Sequence, residues 1–198
     1  MHPVIQWIVG QKMDCKEDKE PTMSEHGHEV KFTFRDAGAD DLMDVLALLL
    51  HLGYPCPSHE LAPVYRALLD DSHYRCILAL VPGDDVVAGM VTFRTLPTLR
   101  LAGVQTTIEE LVVLPPWRGL GLGSALVGLA MAVAESQGAS RLEVITSEQR
   151  ESTRRRFYEK VGLQRAMSRV YRLDLSQKKA VSPQADLESE KVNVLWGE

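Results

Sequence analysis

Positions 108 to 126 read Ile-Glu-Glu-Leu-Val-Val-Leu-Pro-Pro-Trp-Arg-Gly-Leu-Gly-Leu-Gly-Ser-Ala-Leu. Three glycines, Gly119, Gly121 and Gly123, alternate just ahead of an apolar run. Glycine takes up positive φ and lets the backbone come close to a ligand. Where a helix begins, the first N–H groups lack internal partners and the dipole is positive. Together these make an anion site suited to phosphate. Just upstream, Glu109 and Glu110 interrupt an apolar strand-like stretch. Adjacent strand residues point to opposite faces, so without a bulge only one of the two faces a given cleft. The other then needs a partner or solvent.

The glycine-rich stretch fits some phosphate loops poorly. A Walker A loop ends in Gly-Lys-Ser/Thr, but Gly123-Ser124 has no lysine. A dinucleotide fingerprint starts well at Gly119-Leu120-Gly121, with Glu143 about 20 residues beyond. Its sixth position is Ser124 rather than glycine, and Pro115-Pro116-Trp117-Arg118 separates strand from glycine. A turn that merely needs tight backbone is a further reading.

The flanking pattern supplies the elements that would position these groups. Lys31 to Arg35 alternates polar and apolar, as a strand does. Leu42, Val45, Leu46, Leu49 and Leu50 lie on one helical face behind Asp40 and Asp41, with a stop near Gly53 and Pro55. A second helix is expected from Ser58 to about Leu69, despite Pro63. Tyr74 to Val81 and Val86 to Arg94 read as strands and flank the turn Pro82-Gly83-Asp84-Asp85, so a hairpin is expected. Strands at 108–114 and 142–146 bracket a helix from Gly121 to Gln137, ended by Gly138. Such a crossover needs parallel strands. A helix over 152–160 and a strand over Val170–Leu175 complete the order. The expected class is α/β: a mixed, mostly antiparallel sheet with helices on both faces and one parallel βαβ crossover.

Residues 10–30 are polar and charged and lack period, so residues 1–30 read as a disordered N-terminal extension. Met23 is a candidate natural start. Residues 31–175 form the expected domain, and 176–198 a polar C-terminal tail. The net charge is −5, yet residues 31–175 hold 16 basic against 17 acidic side chains. That near-neutral balance argues against a nucleic-acid-binding domain. Cys15, Cys56 and Cys76 show no metal spacing and no disulfide framework, so no metal is expected. No run approaches the roughly 18 apolar residues of a membrane span. The expected setting is soluble and cytoplasmic.

Arg118-x-x-Gly121-x-Gly123, preceded by Val113-Leu114-Pro115, resembles the signature of the GNAT N-acetyltransferase family. Phe157-Tyr158-Glu159-Lys160-Val161-Gly162-Leu163 resembles that family's second signature, with Leu163 where phenylalanine is usual. The likeness covers roughly residues 31–175 and includes the element order.

That resemblance implies the GNAT acyl-CoA N-acyltransferase fold, acetyl-CoA as cosubstrate, and direct acetyl transfer to a primary amine on a small molecule or peptide. Backbone groups of Leu111, Val112 and Val113 would hydrogen-bond the pantetheine arm between two splayed strands. The loop Gly119, Leu120, Gly121, Leu122, Gly123 and Ser124 would hold the pyrophosphate, with Arg118 in reach of phosphate. Glu110 is the expected general base, with Glu109 second and Glu143 third. Tyr158 is the expected proton donor to the leaving sulfur. No cysteine lies near the motif, which favours direct attack over an acyl-enzyme. Glu151 and Arg154 stand where relatives often carry asparagine and alanine. The run Arg154-Arg155-Arg156 is either a solvated face or a contact for the 3′-phosphate. The family often forms homodimers. A catalytically weak CoA-binding regulatory domain is the alternative function.

Overall fold

A computed structural model describes residues 31–81, 83 and 85–175. The expectations for residues 1–30, for Met23 and for the 176–198 tail lie outside the described residues. The chain divides into two units, Met1–Gln164 and Arg165–Glu198. Among the described residues, the helices and strands belong to the first.

That unit contains β1 (Thr33–Asp36), α1 (Leu42–Leu52), α2 (Ser58–Leu69), β2 (Tyr74–Leu80), β3 (Val87–Thr98), β4 (Gly103–Val113), α3 (Leu122–Ser136), β5 (Ala139–Val144), α4 (Glu151–Arg154) and α5 (Phe157–Lys160). The five strands lie in chain order in one sheet. β1 to β4 pair antiparallel, and β4 pairs parallel with β5. α3 makes the crossover between those two strands, as its flanking pattern requires. Among the described residues no helix is long and apolar enough to cross a membrane.

Period-two alternation sorts the strand residues onto two faces. Cys76 and Leu78 of β2, with Met90 of β3, pack under Val45, Leu48 and Tyr65 of α1 and α2. Ile77, Ala79, Val91 and Phe93 pack on the other face with Leu122, Leu126 and Ala130 of α3. Leu78, Phe93 and Leu126 are fully buried. The entry to α1 is fixed by charge. Arg35 of β1 grips both oxygens of buried Asp41 at 2.6 and 2.7 Å, and the Gly38 amide donates to the same carboxylate at 2.6 Å. Arg35 therefore holds the Asp41 carboxyl below the usual carboxylate range. The Tyr65 hydroxyl donates to the Gly38 carbonyl, which ties α2 to the same corner.

Three local expectations change. The helix expected over 152–160 is broken into α4 and α5 by Arg156, whose φ of 54° is left-handed. β3 and β4 are longer than the pattern suggested, joined by a short turn at Leu99–Leu101. Residues 170–175 form no strand. Val170, Tyr171, Leu173 and Leu175 are exposed there. An alternating pattern supplies a face, but a strand also needs a hydrogen-bonding edge, and none pairs with it among the described residues.

Gly89 marks the tightest layer contact. A Cβ at this position would sit 2.7 Å from the Val112 carbonyl oxygen and 3.4 Å from Leu126. Gly89→Ala is therefore expected to force β3 from β4 and α3. The expected loss is about 1–3 kcal/mol in chemical denaturation, the usual range for overpacking.

Candidate active site

β4 is where the sheet opens. It pairs with β5 from Val104 opposite Ala139 to Ile108 opposite Val144. Its pairing with β3 continues to Val113 opposite Gly89. Residues 109–113 thus have no ladder partner on the β5 side among the described residues. Backbone donors and acceptors along an unpaired edge suit an added extended chain.

The turn after β4 leads into α3. A short 3₁₀ turn spans Pro115–Trp117. The Arg118 Nε donates to the Val113 carbonyl at 2.9 Å, folding the loop back on the strand end. Gly119 and Gly121 have φ of 80° and 79°, and a Cβ on either would meet nothing within 4 Å. Glycine is needed there for backbone conformation. Gly123 differs. Its Cβ would press 3.3 Å from Phe157 Cζ, so its smallness lets α5 lie on the first turn of α3. One of the three glycines therefore has a packing role that the sequence did not reveal.

A cavity of about 440 Å³ lies at this junction. Leu111, Val112 and Val113 form one wall, and Arg118, Gly119, Gly121, Leu122, Gly123 and Ser124 form the floor. Leu120 is 52% exposed and lies outside the lining. The opposite wall comes from His51 and Leu52 of α1 and from Arg150, Glu151, Ser152, Arg155, Phe157 and Lys160. Sequence reasoning missed His51, Leu52, Trp117, Arg150, Ser152, Phe157 and Lys160 as cavity residues. Lys160 had a legible signal, since it sits one turn after Phe157 in the second signature. Of the arginine run, Arg155 lines the cavity and pairs with Glu151 at 2.5 Å, while Arg154 and Arg156 lie outside the lining. The lining holds Arg118, Arg150, Arg155 and Lys160 against one acid, Glu151. Such a charge balance favours a polyanion.

The glutamates stand beside this cavity and not in its lining. Thr92 pairs with Glu110, and Phe93 with Ile108, so Glu109 is a bulge residue. The bulge overrides simple alternation. Glu110 is bonded to Thr92, and Glu109 forms an ion pair with Arg94 at 3.5 Å. Thr92 and Arg94 are two apart on β3 and so share a face. Both carboxylates are therefore on the α1–α2 side. Arg94 also reaches Asp71 at 3.6 Å and stacks over the Tyr74 ring at 5.7 Å. Glu110 is half-buried. Burial raises its pKa, its bond to Thr92 opposes that, and neighbouring Glu109 adds to it. Glu143, by contrast, is held by Arg100 and Arg141, each at 3.4 Å, and by Gln105 at 3.1 Å.

Tyr158 is half-buried and packs edge-on against Phe157 at 5.1 Å. It lies outside the cavity lining, one residue from Phe157, which is part of it. Burial raises the pKa of its phenol, while a hydrogen bond with Thr146 and the charge of Arg150 lower it. Cys76 is buried, and burial pushes its thiol up to about 12, a poor state for a nucleophile. Among the described residues no cluster of three or more His, Cys, Asp or Glu is arranged to hold a metal.

The acetyltransferase (GNAT) family model matches residues 42–163. The aminoalkylphosphonate N-acetyltransferase of Salmonella typhimurium is 41% identical over 96 residues, which is 48% of this chain and 59% of that protein. The chain thus spans less than two thirds of that relative. The crystal structure of an acetyltransferase from Trypanosoma brucei aligns with a TM-score of 0.62 at 30% identity, over 73% of this chain and all of the other. A transcriptional regulator from Bacillus halodurans aligns with a TM-score of 0.65 at 23% identity, over 73% of this chain and 99% of its own, which shows a common fold.

One lining side chain ties together two distant segments of the chain. Arg150 donates to the Leu52 carbonyl at 3.2 Å and to the Tyr54 hydroxyl at 3.2 Å, and lies over the Tyr54 ring at 5.6 Å. It joins the β5–α4 loop to the end of α1. Arg150→Ala should loosen that loop with little global cost, on the order of 1 kcal/mol. Hydrogen exchange should speed up over residues 145–156 while exchange in β2 and β3 stays slow.

Proposed function

Because this chain belongs to the acetyltransferase (GNAT) family, we propose that it is an N-acetyltransferase that moves an acetyl group from acetyl-CoA to a primary amine by direct attack. One observation carries the reading: a glycine turn, a helix start and an unpaired strand edge meet at one cation-lined cavity. The cavity volume is within the usual range for small-molecule sites. Open space beside the positive-φ glycines suits a close approach by phosphate oxygens. In this reading the amides of residues 119–124 and Arg118 hold the pyrophosphate. Arg155 and Lys160 complement further phosphate charge. The backbone of Leu111, Val112 and Val113 aligns the pantetheine arm. Acetyl-CoA supplies the acetyl group already activated as a thioester.

The acceptor arrives as an ammonium with a pKa near 10 and must lose a proton before it can attack. Glu110 takes that proton, directly or through water. Burial makes its carboxylate more basic than an exposed one, which suits the task. Glu109, on the same face, favours a cationic amine. The ion pairs around Glu143 weigh against that residue as the base. Tyr158 gives its phenolic proton to the departing sulfur. The likeness to an aminoalkylphosphonate N-acetyltransferase puts small amines with an anionic phosphonate first among acceptors.

The test is an acceptor panel with detection of free thiol. Acetyl-CoA alone should give little thiol, and a suitable amine should accelerate its release. Calorimetry should show CoA binding. No association at millimolar CoA would overturn the proposal, and binding without turnover across broad amines would favour a regulatory CoA-binding domain. Glu110→Gln should lower turnover by about 10²–10⁴-fold with CoA affinity kept. It should also abolish a lower pH limb placed above the usual carboxylate range. Tyr158→Phe should lower turnover far more than cofactor affinity; unchanged turnover would remove it from the mechanism.

A further inference from the structure

Glu110 is not held by charge. Its carboxylate accepts from the Thr92 hydroxyl, and its own backbone N–H donates to Thr92 Oγ1 at 3.0 Å. Thr92 is 2% exposed, so water does not compete for these bonds. A threonine hydroxyl has one proton and two acceptor sites. Here the proton goes to the carboxylate and one acceptor site to the amide of the same residue. The phenol of Tyr74 also interacts with this hydroxyl. Residue 110 is thereby gripped at backbone and side chain at once, immediately after the bulge at Glu109. A β-branched side chain has few χ1 options, so the grip has one direction.

We propose that Thr92 is the positioning residue of the catalytic base: it fixes the Glu110 carboxylate on the α1–α2 face through paired backbone and side-chain hydrogen bonds. This rests on the reading of Glu110 as the base. The groups facing Glu110 are Glu109 from β4, Thr92 from β3, and Tyr74 and Cys76 from β2. Arg94 is engaged with Glu109 and Asp71. Thr92 is therefore the neighbour whose hydrogen bond opposes burial and the like charge of Glu109. Without it, both remaining influences favour the protonated acid. The sign follows: loss of the hydroxyl raises the proton affinity of Glu110, and the lower limb of the turnover profile moves to higher pH.

The experiment compares wild type, Thr92→Val, Thr92→Ala and Thr92→Ser at saturating cosubstrate and acceptor. A charge-assisted hydrogen bond corresponds to about one pH unit. Thr92→Val and Thr92→Ala should move the lower limb up by about that much. Turnover below the limb should fall about tenfold and recover at high pH, with the KM for acetyl-CoA within about twofold. Thr92→Ser keeps the hydroxyl and should restore the wild-type limb. Limb position does not depend on how much protein is folded, so partial destabilisation leaves the readout intact. An unmoved limb in both hydroxyl-free variants overturns the proposal, as does a limb in Thr92→Ser that matches Thr92→Val. Glu110→Gln separates the two claims. If it keeps the limb, the base is elsewhere and the assignment of Glu110 fails. If it loses the limb while Thr92→Val leaves it in place, Glu110 stands and Thr92 does not.

Discussion

β4 has two neighbours with different claims on it. β3 pairs with it from end to end, whereas β5 accompanies it only as far as Ile108. Backbone polar groups must be satisfied, so a strand left open for five residues in mid-sheet is a costly arrangement unless something else pairs there. The fold keeps it open by anchoring β4 from the other side. Gly89 lets the Val112 carbonyl and Leu126 close in on β3, and Leu114 N–H bonds to the Ala88 carbonyl. α3 then carries the chain to β5 from a point beyond the divergence. The glycine turn, the helix start and the cavity wall all sit where this one departure from pairing puts them.

The second constraint is a single extra residue. With plain alternation, Glu109 and Glu110 would face opposite sides of the sheet. The bulge puts both beneath α1 and α2, one near Arg94 and one bonded to Thr92. A strand thus presents two adjacent carboxylates to one compartment without burying either in the α3 core. Their surroundings then separate them. Glu109 has a cation and solvent, while Glu110 is half-buried against a threonine hydroxyl, and that burial raises its proton affinity.

Much of this was readable from residue types. The i, i+3, i+4 pattern of Leu42 to Leu50 and the apolar stripe of α3 gave helices within a few residues of their ends. The alternation of glycines before α3 pointed to the cavity floor, and the glutamate pair pointed to β4. Other features depend on long-range geometry. The bulge follows from register between β3 and β4, which no local window contains. Thr92 is an ordinary strand threonine until Glu110 lies opposite it. Arg150 and His51 reach the cavity from segments about a hundred residues apart. Val170–Leu175 shows the converse: a good local pattern with no edge to join. Gly123 stands in the same alternation as Gly119 and Gly121, yet only its neighbour Phe157 explains its size.

That last contact has a mechanical meaning. Phe157 rests on α3 where any larger residue than glycine would push it away, and it stacks edge-on against Tyr158. Two rings therefore connect the first turn of α3 to the phenol. The separation between the start of α3 and the two rings of α5 is therefore set by one missing methyl group, and a side chain at residue 123 would be felt first at Phe157 and then at its neighbour Tyr158.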